Sequence, residues 1–341
     1  MGRFTQESTM GDVFTAPEFA SISKYLMFSP NPPEMPEGQG EGGGFAQAPL
    51  AGLARIGWSP EGIVNGLNFL VDEIEAGRME QYFVYEKAEC ADAPMKADVN
   101  LIRLLPENPK AEKDGKKVPY ILLAAGGAYN SVCTMVEALP TARHMVEMGY
   151  QVFLFTYRVG YQGVTPHALD DLAAAIAYIG RHAEQFGIDP ERYAVGGYSA
   201  GANLISNYGT GNIGWKRFGL PKPICMFPIY TFIDLKAESK RDERGGLVAI
   251  MFDGDYTKYL DEYNVVEHID ADYPPCYVVC GKDDATVPPV NSEMMVDLLK
   301  KQGTPAVLDE GEHAPHGFGD GTGTDVEGWP EKAIAFLEEL A

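Results

Sequence analysis

The sequence has no hydrophobic run that approaches the length of about 18 apolar residues needed by a membrane-spanning helix. It is also poor in positive charge, since 27 Lys and Arg residues stand against 49 Asp and Glu residues, for a net charge of −22 at pH 7. A field of that sign repels the phosphates of nucleic acids and of anionic lipids. We therefore expect neither nucleic acid nor a membrane as a partner, whereas neutral substrates are not disfavoured.

Cysteine is scarce and scattered, with residues at positions 90, 133, 225, 276 and 280. An odd number without a repeated spacing does not fit a disulfide framework. Cys276 and Cys280 lie on one predicted strand about 13 Å apart, too far for a bridge. No spacing with histidine is typical of a metal site and no cofactor motif is present, so we expect neither metal nor cofactor.

The beginning of the sequence also lacks the pattern of a secretory signal. Residues 1–20 have no basic head followed by an apolar stretch, which excludes a secretory signal in this stretch. Together with the free thiols, this predicts a cytoplasmic location.

The chain divides by composition near residue 78. Residues 30–44 read PNPPEMPEGQGEGGG, which fits neither a helix nor an inner strand and predicts a loop. Ser59 followed by Pro60 is a helix-start pattern, and the apolar spacing that follows predicts a helix ending at Gly77. We interpret residues 1–78 as an N-terminal extension or lid and residues 79–341 as the main domain, with an insertion at about 206–272.

From residue 79 onward, short apolar segments alternate with amphipathic ones. This alternation predicts an α/β fold, with a mostly parallel sheet covered by helices on both faces. The expected strands are residues 81–86, 99–105, 120–125, 150–157, 192–197, 224–230, 275–281 and 306–308. The expected helices are residues 141–149, 166–187, from 200 onward, 292–301 and 330–340.

The sharpest motif is GYSAG at residues 197–201, between a predicted strand and a predicted helix. Glycine on both sides of Ser199 permits a tight, strained turn that exposes the serine hydroxyl. That context is the one in which a G-x-S-x-G motif presents a nucleophile. We therefore predict Ser199 as a nucleophile.

A second motif, AGGAY at residues 125–129, follows another predicted strand. An acyl-transfer enzyme must stabilise the oxyanion of its tetrahedral intermediate, and backbone amides on a glycine-rich turn can do so. We expect Gly127 to supply one amide and Ala200, the residue after the nucleophile, to supply the other. Ala128 is the alternative to Gly127, shifted by one residue.

A base and an acid are expected on two later loops. Of the six histidines, His313 and His316 lie between the last strand and the last helix. A chain order of serine, then acid, then histidine places the general base in that loop. We choose His316 and keep His313 as the alternative. Asp283 and Asp284 follow the strand at 275–281, and because adjacent side chains diverge only one can orient the histidine. We favour Asp284.

These motifs resemble those of the α/β-hydrolase superfamily, in particular its acetylxylan, feruloyl and hormone-sensitive-lipase-like esterases. The resemblance extends from about residue 81 to residue 341. Hormone-sensitive-lipase-like esterases usually read His-Gly-Gly-Gly where this chain has Ala125 in place of the histidine, which favours the carbohydrate-esterase relatives.

The resemblance implies an α/β-hydrolase fold with a lid formed by residues 1–78 or 206–272. It also implies roles for the motif residues: Ser199 as nucleophile, His316 as general base, Asp284 as its orienting acid, and Gly127 with Ala200 as oxyanion donors.

The function expected from these residues is hydrolysis of short or aromatic acyl esters through an acyl-serine intermediate. Acetyl or feruloyl groups on plant-polysaccharide oligosaccharides are the expected substrates, so the partner is a small-molecule or oligosaccharide ester. The alternatives are a small-molecule amidase or peptidase on the same fold, or a hydrolase-fold receptor that binds a ligand. Peptidases of this fold usually carry an N-terminal propeller, and 78 unrepeated residues do not form one.

Overall fold

The computed structural model describes residues 3–30, 45–241 and 246–341. The loop predicted at residues 30–44 lies, apart from Pro30, outside the described residues. Within them, eight strands form one sheet. The strands are β1 (Met79–Phe83), β2 (Asn100–Leu104), β3 (Tyr120–Ala124), β4 (Val152–Thr156), β5 (Tyr193–Tyr198), β6 (Cys225–Ile229), β7 (Cys276–Gly281) and β8 (Ala306–Gly311).

The strand order is β1-β2-β4-β3-β5-β6-β7-β8. The pairs β1–β2 and β2–β4 are antiparallel, and the pairs from β4 through β3 to β8 are parallel. Strands β2 to β7 are buried along their whole length, as expected where helices cover both faces. The prediction of a mostly parallel sheet is confirmed. Because the parallel strands share one direction, the loops that follow β3, β5, β7 and β8 emerge at one edge.

Twelve α-helices occur in the described parts of the chain. They are α1 (Met10–Thr15), α2 (Ser23–Leu26), α3 (Pro60–Glu75), α4 (Ala138–Glu147), α5 (Val164–Arg181), α6 (Ala183–Phe186), α7 (Ala200–Gly209), α8 (Leu235–Glu238), α9 (Gly246–Met251), α10 (Leu260–Tyr263), α11 (Val290–Lys301) and α12 (Trp329–Leu340).

Two helix predictions need adjustment. The helix expected at residues 166–187 is broken at His182, whose backbone (φ −104°, ψ 16°) leaves the helical region and separates α5 from α6. The helix expected at 141–149 begins earlier, at Ala138. The helix predicted after Ser59 is confirmed as α3, which ends at Glu75 instead of Gly77. The Ser59 hydroxyl caps it by accepting a hydrogen bond from the Gly62 amide at 3.1 Å.

The N-terminal segment packs against loops at the strand ends. Phe28 exchanges two backbone hydrogen bonds with Val132, of 2.9 and 2.8 Å. Gly57 lies so close to His316 that a Cβ there would stand 2.8 Å from the His316 carbonyl oxygen. A Cβ on Gly317 would likewise stand 2.6 Å from the Trp58 ring. This segment therefore borders the loops that carry the candidate site.

The stretch 206–272, predicted to hold an insertion, contains the end of α7 and all of β6 as well as α8 to α10. All five cysteines lie among the described residues and are free thiols. In the described ranges, no helix combines the length and the apolar character needed to cross a membrane.

Candidate active site

Ser199 occupies the turn between β5 and α7. Its backbone lies at φ +50°, ψ −116°, a strained conformation for a residue with a side chain. The flanking glycines allow this turn because a Cβ on Gly197 would stand 2.3 Å from the Gly201 carbonyl oxygen, and one on Gly201 would stand 2.1 Å from that of Ala124. The turn therefore packs directly against the end of β3, and the Ser199 side chain projects from the sheet edge.

Ser199, His316 and Asp284 form a continuous hydrogen-bonded chain. His316 Nε2 lies 2.9 Å from Ser199 Oγ, and His316 Nδ1 lies 2.8 Å from Asp284 Oδ2. The side chain of His316 is 19% exposed and that of Asp284 only 1%. The histidine can therefore meet substrate at one nitrogen while a buried carboxylate holds the other. This geometry can move a proton from the serine hydroxyl to the imidazole.

The second oxygen of Asp284 is held by the loop itself. Asp284 Oδ1 accepts hydrogen bonds from the amides of Thr286 and Val287, both at 2.8 Å. These two bonds leave Oδ2 directed at the histidine. The loop after β7 thus fixes the carboxylate, and the loop after β8 supplies its partner, His316.

The two alternatives from the sequence lie beside this chain of hydrogen bonds. Asp283 Oδ1 accepts a hydrogen bond from the Ala314 amide at 2.8 Å, so this acid anchors the loop that carries His316. The His313 side chain is 83% exposed, and its Nδ1 lies 3.9 Å from Asp283 Oδ2. The structure therefore joins Asp284 and His316 to Ser199, and does not join Asp283 or His313 to it.

The AGGAY turn (residues 125–129) leaves β3 next to the serine. A Cβ on Gly126 would stand 2.5 Å from the Tyr198 carbonyl oxygen and 2.8 Å from Ser199 Cβ, which shows how closely the two turns approach. Gly127, at φ +133°, is half-buried, and Ala128, at φ +52°, is exposed. Ala200 is buried at the first turn of α7. The backbone after Gly126 therefore borders Ser199 from the β3 side.

Two hydrogen bonds with buried side chains fix this turn. The Tyr157 hydroxyl donates to the Ala125 carbonyl oxygen at 2.7 Å. The Gly126 amide donates to Glu137 Oε2 at 2.5 Å. Glu137 is buried, and burial raises its pKa above the usual glutamate range, although the hydrogen bonds from Gly126 and Tyr230 oppose that rise. The Gly126 amide is thus engaged inside the protein, and the amides further along the turn are nearer the exposed side.

Sequence reasoning missed Glu137 and Tyr230. The Tyr230 ring lies 4.7 Å from the His316 ring, centroid to centroid, and its hydroxyl donates to Glu137 Oε1 at 2.9 Å. Glu137 is a single acid within the mostly apolar stretch 132–142, and a lone acid in such a stretch is the pattern that could have singled it out.

A metal site is not part of this arrangement. Across residues 3–30, 46–241 and 246–341, no three His, Cys, Asp or Glu side chains are grouped so that they could hold an ion.

Comparison with known proteins places the chain in a family. The sequence profile of the BD-FAE family matches residues 108–299, which is more than half of the chain. The chain belongs to the BD-FAE family. The matched region contains Ser199, Asp284 and the AGGAY turn, and His316 lies beyond its end.

Two curated relatives of this BD-FAE member are esterases by name, both from Mycobacterium tuberculosis. The probable carboxylic ester hydrolase LipM is 26% identical over 212 residues, covering 59% of this chain and 49% of LipM. The esterase LipQ is 23% identical over 220 residues, covering 60% of this chain and 51% of LipQ. The chain spans about half the length of these curated relatives.

A solved structure confirms the fold of this BD-FAE member. The acetyl ester-xyloside bifunctional hydrolase from Caldicellulosiruptor lactoaceticus superposes with a TM-score of 0.61 at 23% identity, covering 77% of this chain and 96% of that protein. Together with the BD-FAE match, this likeness confirms the resemblance to the α/β-hydrolase superfamily drawn from the motifs, and the chain has the α/β-hydrolase fold.

Proposed function

We propose that this protein is a serine carboxylesterase in which Ser199 is the nucleophile, His316 the general base and Asp284 the acid that orients it. The observation that carries this proposal is the hydrogen-bonded chain from Ser199 Oγ through His316 to Asp284, with distances of 2.9 and 2.8 Å. The curated relatives support it, since both are named as ester hydrolases or esterases.

The reaction follows from the roles of these groups. His316 Nε2 takes the Ser199 proton as Oγ attacks the ester carbonyl carbon, and Asp284 stabilises the imidazolium that forms. The tetrahedral oxyanion accepts hydrogen bonds from the amides of Ala200 and Gly127, with Ala128 as the alternative to Gly127. His316 then protonates the departing alcohol. Water, deprotonated by the same histidine, releases the acyl group from Ser199.

Short or aromatic acyl esters are the proposed substrates, and acetyl or feruloyl groups on plant-polysaccharide oligosaccharides are the first of these. The likeness of fold to an acetyl ester-xyloside hydrolase supports starting from acetylated xylo-oligosaccharides. The cytoplasmic location and the exclusion of nucleic acid and membrane partners stay predictions of the sequence.

We also propose that residues 1–78 form an extension that walls the site and that residues 79–341 carry the chemistry. The extension contacts the loops that carry the site, through Phe28 bonded to Val132 after the AGGAY turn and through Gly57 and Trp58 next to His316 and Gly317. Such contacts are those expected of a segment that shapes the entrance for the acyl or alcohol group.

The test is a hydrolysis panel with the wild type and Ser199→Ala. The panel contains p-nitrophenyl acetate, butyrate and octanoate, acetylated xylo-oligosaccharide and methyl ferulate. We expect the substitution to lower kcat by about 10⁴-fold or more, because it removes the group that forms the acyl intermediate. Ser206→Ala, a serine on the same helix α7, is the matched control and should keep its turnover per folded molecule.

Each outcome of the panel has a consequence. Turnover of the acetylated sugar or the ferulate that is lost in Ser199→Ala supports a carbohydrate esterase and identifies its acyl group. Turnover of nitrophenyl esters alone supports the esterase but not that substrate class. Undiminished turnover in Ser199→Ala contradicts the proposal. In a separate comparison of a matched ester and amide, faster cleavage of the amide favours the amidase alternative.

A further inference from the structure

Glu137 is a buried acid for which the proposed reaction has no step. It directly precedes α4 and is 4% exposed. Its two carboxylate oxygens serve two different parts of the site. Oε2 accepts from the Gly126 amide at 2.5 Å, and Oε1 accepts from the Tyr230 hydroxyl at 2.9 Å. One carboxylate therefore joins the AGGAY turn to the residue that follows β6.

Tyr230 is itself packed against the candidate base. Its ring centroid lies 4.7 Å from that of His316 and 4.7 Å from that of Phe318, the latter at an angle of 88°. Its backbone has φ +39° and its amide donates to the Val279 carbonyl oxygen at 2.7 Å. The Tyr230 ring therefore packs against the imidazole, while its hydroxyl is bonded to Glu137.

Both partners of Glu137 are buried donors that need an acceptor. A buried amide without a partner is costly, and the turn could relieve that cost by rotating its peptide planes. Rotation at Gly126 would carry the Gly127 amide with it, because the two peptide planes are adjacent. A change in the Tyr230 side chain would at the same time remove the surface on which His316 rests.

We propose that Glu137 is a positioning residue that couples the AGGAY turn to the support of His316, so that the oxyanion donor and the general base keep a common geometry around Ser199. This inference rests on the proposed esterase function. Glu137 acts through Gly126 and Tyr230, since its burial leaves almost no surface for substrate.

Three variants test the coupling. Glu137→Met removes both acceptors at similar length, Glu137→Gln keeps one oxygen for the Gly126 amide, and Tyr230→Phe keeps the ring but removes the hydroxyl. The matched control is Glu147→Gln, at the far end of the same helix, where the side chain is 54% exposed. Turnover of p-nitrophenyl acetate is measured per reactive serine, counted by titration with a p-nitrophenyl phosphonate, and folding is checked by thermal unfolding.

We expect Glu137→Met to lower kcat by about 10²-fold, the cost of a displacement of roughly 1 Å in a catalytic group, while KM changes by only a few-fold. The kcat values of Glu137→Gln and Tyr230→Phe should lie between those of Glu137→Met and the wild type. The inference is overturned if Glu137→Met has the same kcat per reactive serine as the wild type. It is also overturned if the substitution changes KM alone. If Glu137→Met does not fold, an unchanged kcat in both remaining variants overturns it instead.

The inference and the proposed function fail in different ways. If the esterase proposal is wrong, the wild type and Glu147→Gln turn over no ester. If only the role of Glu137 is wrong, the wild type, the control and the Glu137 variants all hydrolyse the ester at the same rate per reactive serine.

Discussion

At the scale of the residue, the two oxygens of Asp284 have separate tasks. Oδ1 is occupied by the amides of Thr286 and Val287, and Oδ2 faces His316 Nδ1. A carboxylate held in this way selects the imidazole tautomer that carries its proton on Nδ1, which leaves Nε2 free to accept one from Ser199. Asp283 holds only the backbone of the neighbouring loop.

We expect Asp284→Asn to lower kcat on the order of 10³–10⁴-fold with the fold retained, because an amide can present its NH₂ to His316 and stabilise the wrong tautomer. The measurement is kcat for p-nitrophenyl acetate. Asp283→Asn is the matched control, since its amide oxygen can still accept from the Ala314 amide, and its kcat should stay near that of the wild type. Equal losses in the two variants would contradict the separate tasks.

At this scale the sequence gives firmer grounds for a residue type than for a choice between neighbours of the same type. The pattern Gly-x-Ser-x-Gly after a strand singles out Ser199, because the tight turn from a strand into a helix requires glycine on both sides of the serine. Asp283 and Asp284 are adjacent, and only the direction of the turn after β7 decides which one faces the histidine. Glu137 was missed because one of its two partners, Tyr230, lies 93 residues further along the chain.

At the scale of the element, the contact between α7 and β3 depends on a missing side chain. Gly201 is in the first turn of α7, and a Cβ there would stand 2.1 Å from the Ala124 carbonyl oxygen. Gly180 is also helical, in α5, but a Cβ there would meet only the Pro190 side chain, at an ordinary 3.7 Å. The two glycines are alike in local conformation and differ in what approaches them.

We therefore expect opposite effects from the same substitution. Gly201→Ala should lower the free energy of unfolding by roughly 1–3 kcal/mol or more, because the backbone of α7 or β3 must shift. Gly180→Ala should raise it by roughly 0.5–1 kcal/mol, because alanine loses less conformational freedom in a helix. Urea unfolding of both variants measures this, and destabilisation by Gly180→Ala of the same size as by Gly201→Ala would contradict the explanation.

Element order and type were predictable from periodicity, whereas some boundaries were not. The apolar spacing of residues 166–187 continues across His182, so nothing in the pattern marks the break between α5 and α6. The early start of α4 reflects burial rather than periodicity, since Ala138, Leu139 and Pro140 are all buried.

At the scale of the whole molecule, an ion cluster ties three separate parts together. His144 of α4 lies between Asp320 of the loop after β8 and Glu331 of α12, with nitrogen–oxygen distances of 3.2 and 2.7 Å. Burial lowers the pKa of His144, as does Arg143, but the Asp320 hydrogen bond and the charges of Glu331 and Asp320 raise it overall. Burial raises the pKa of Asp320, but hydrogen bonds from His144 and Thr322 lower it overall.

These shifts give stability a pH dependence. A raised pKa of His144 contributes stability below its unfolded value of about 6.5, and the contribution is lost as pH rises through the folded pKa. A lowered pKa of Asp320 contributes stability above its unfolded value of about 3.9, and the contribution is lost as pH falls through the folded pKa. Both contributions are present together between these values, near pH 5.

We expect His144→Gln to lower the free energy of unfolding more at pH 5 than at pH 8, as measured by urea unfolding at both values. The exposed His167, replaced in the same way, controls for the loss of a histidine as such. A difference between wild type and His144→Gln that is the same at both pH values would contradict the role of this cluster.

The parallel sheet was predictable from the alternation of elements, but the path of the N-terminal segment was not. Its contacts join residues far apart in sequence, such as Phe28 with Val132 and Gly57 with His316. No local sequence pattern predicts such contacts, because each residue meets its partner only in the folded chain.

The separation of the site residues along the chain also has a consequence for protein synthesis. Ser199 and His316 are 117 residues apart. A ribosome that adds about 5–20 residues per second adds Ser199 roughly 6–23 s before His316. Throughout that interval the nascent chain carries the proposed nucleophile without the histidine proposed to deprotonate it. The proposed activity can therefore begin only after the loop that follows β8 has been synthesised and has packed against the turn that holds Ser199.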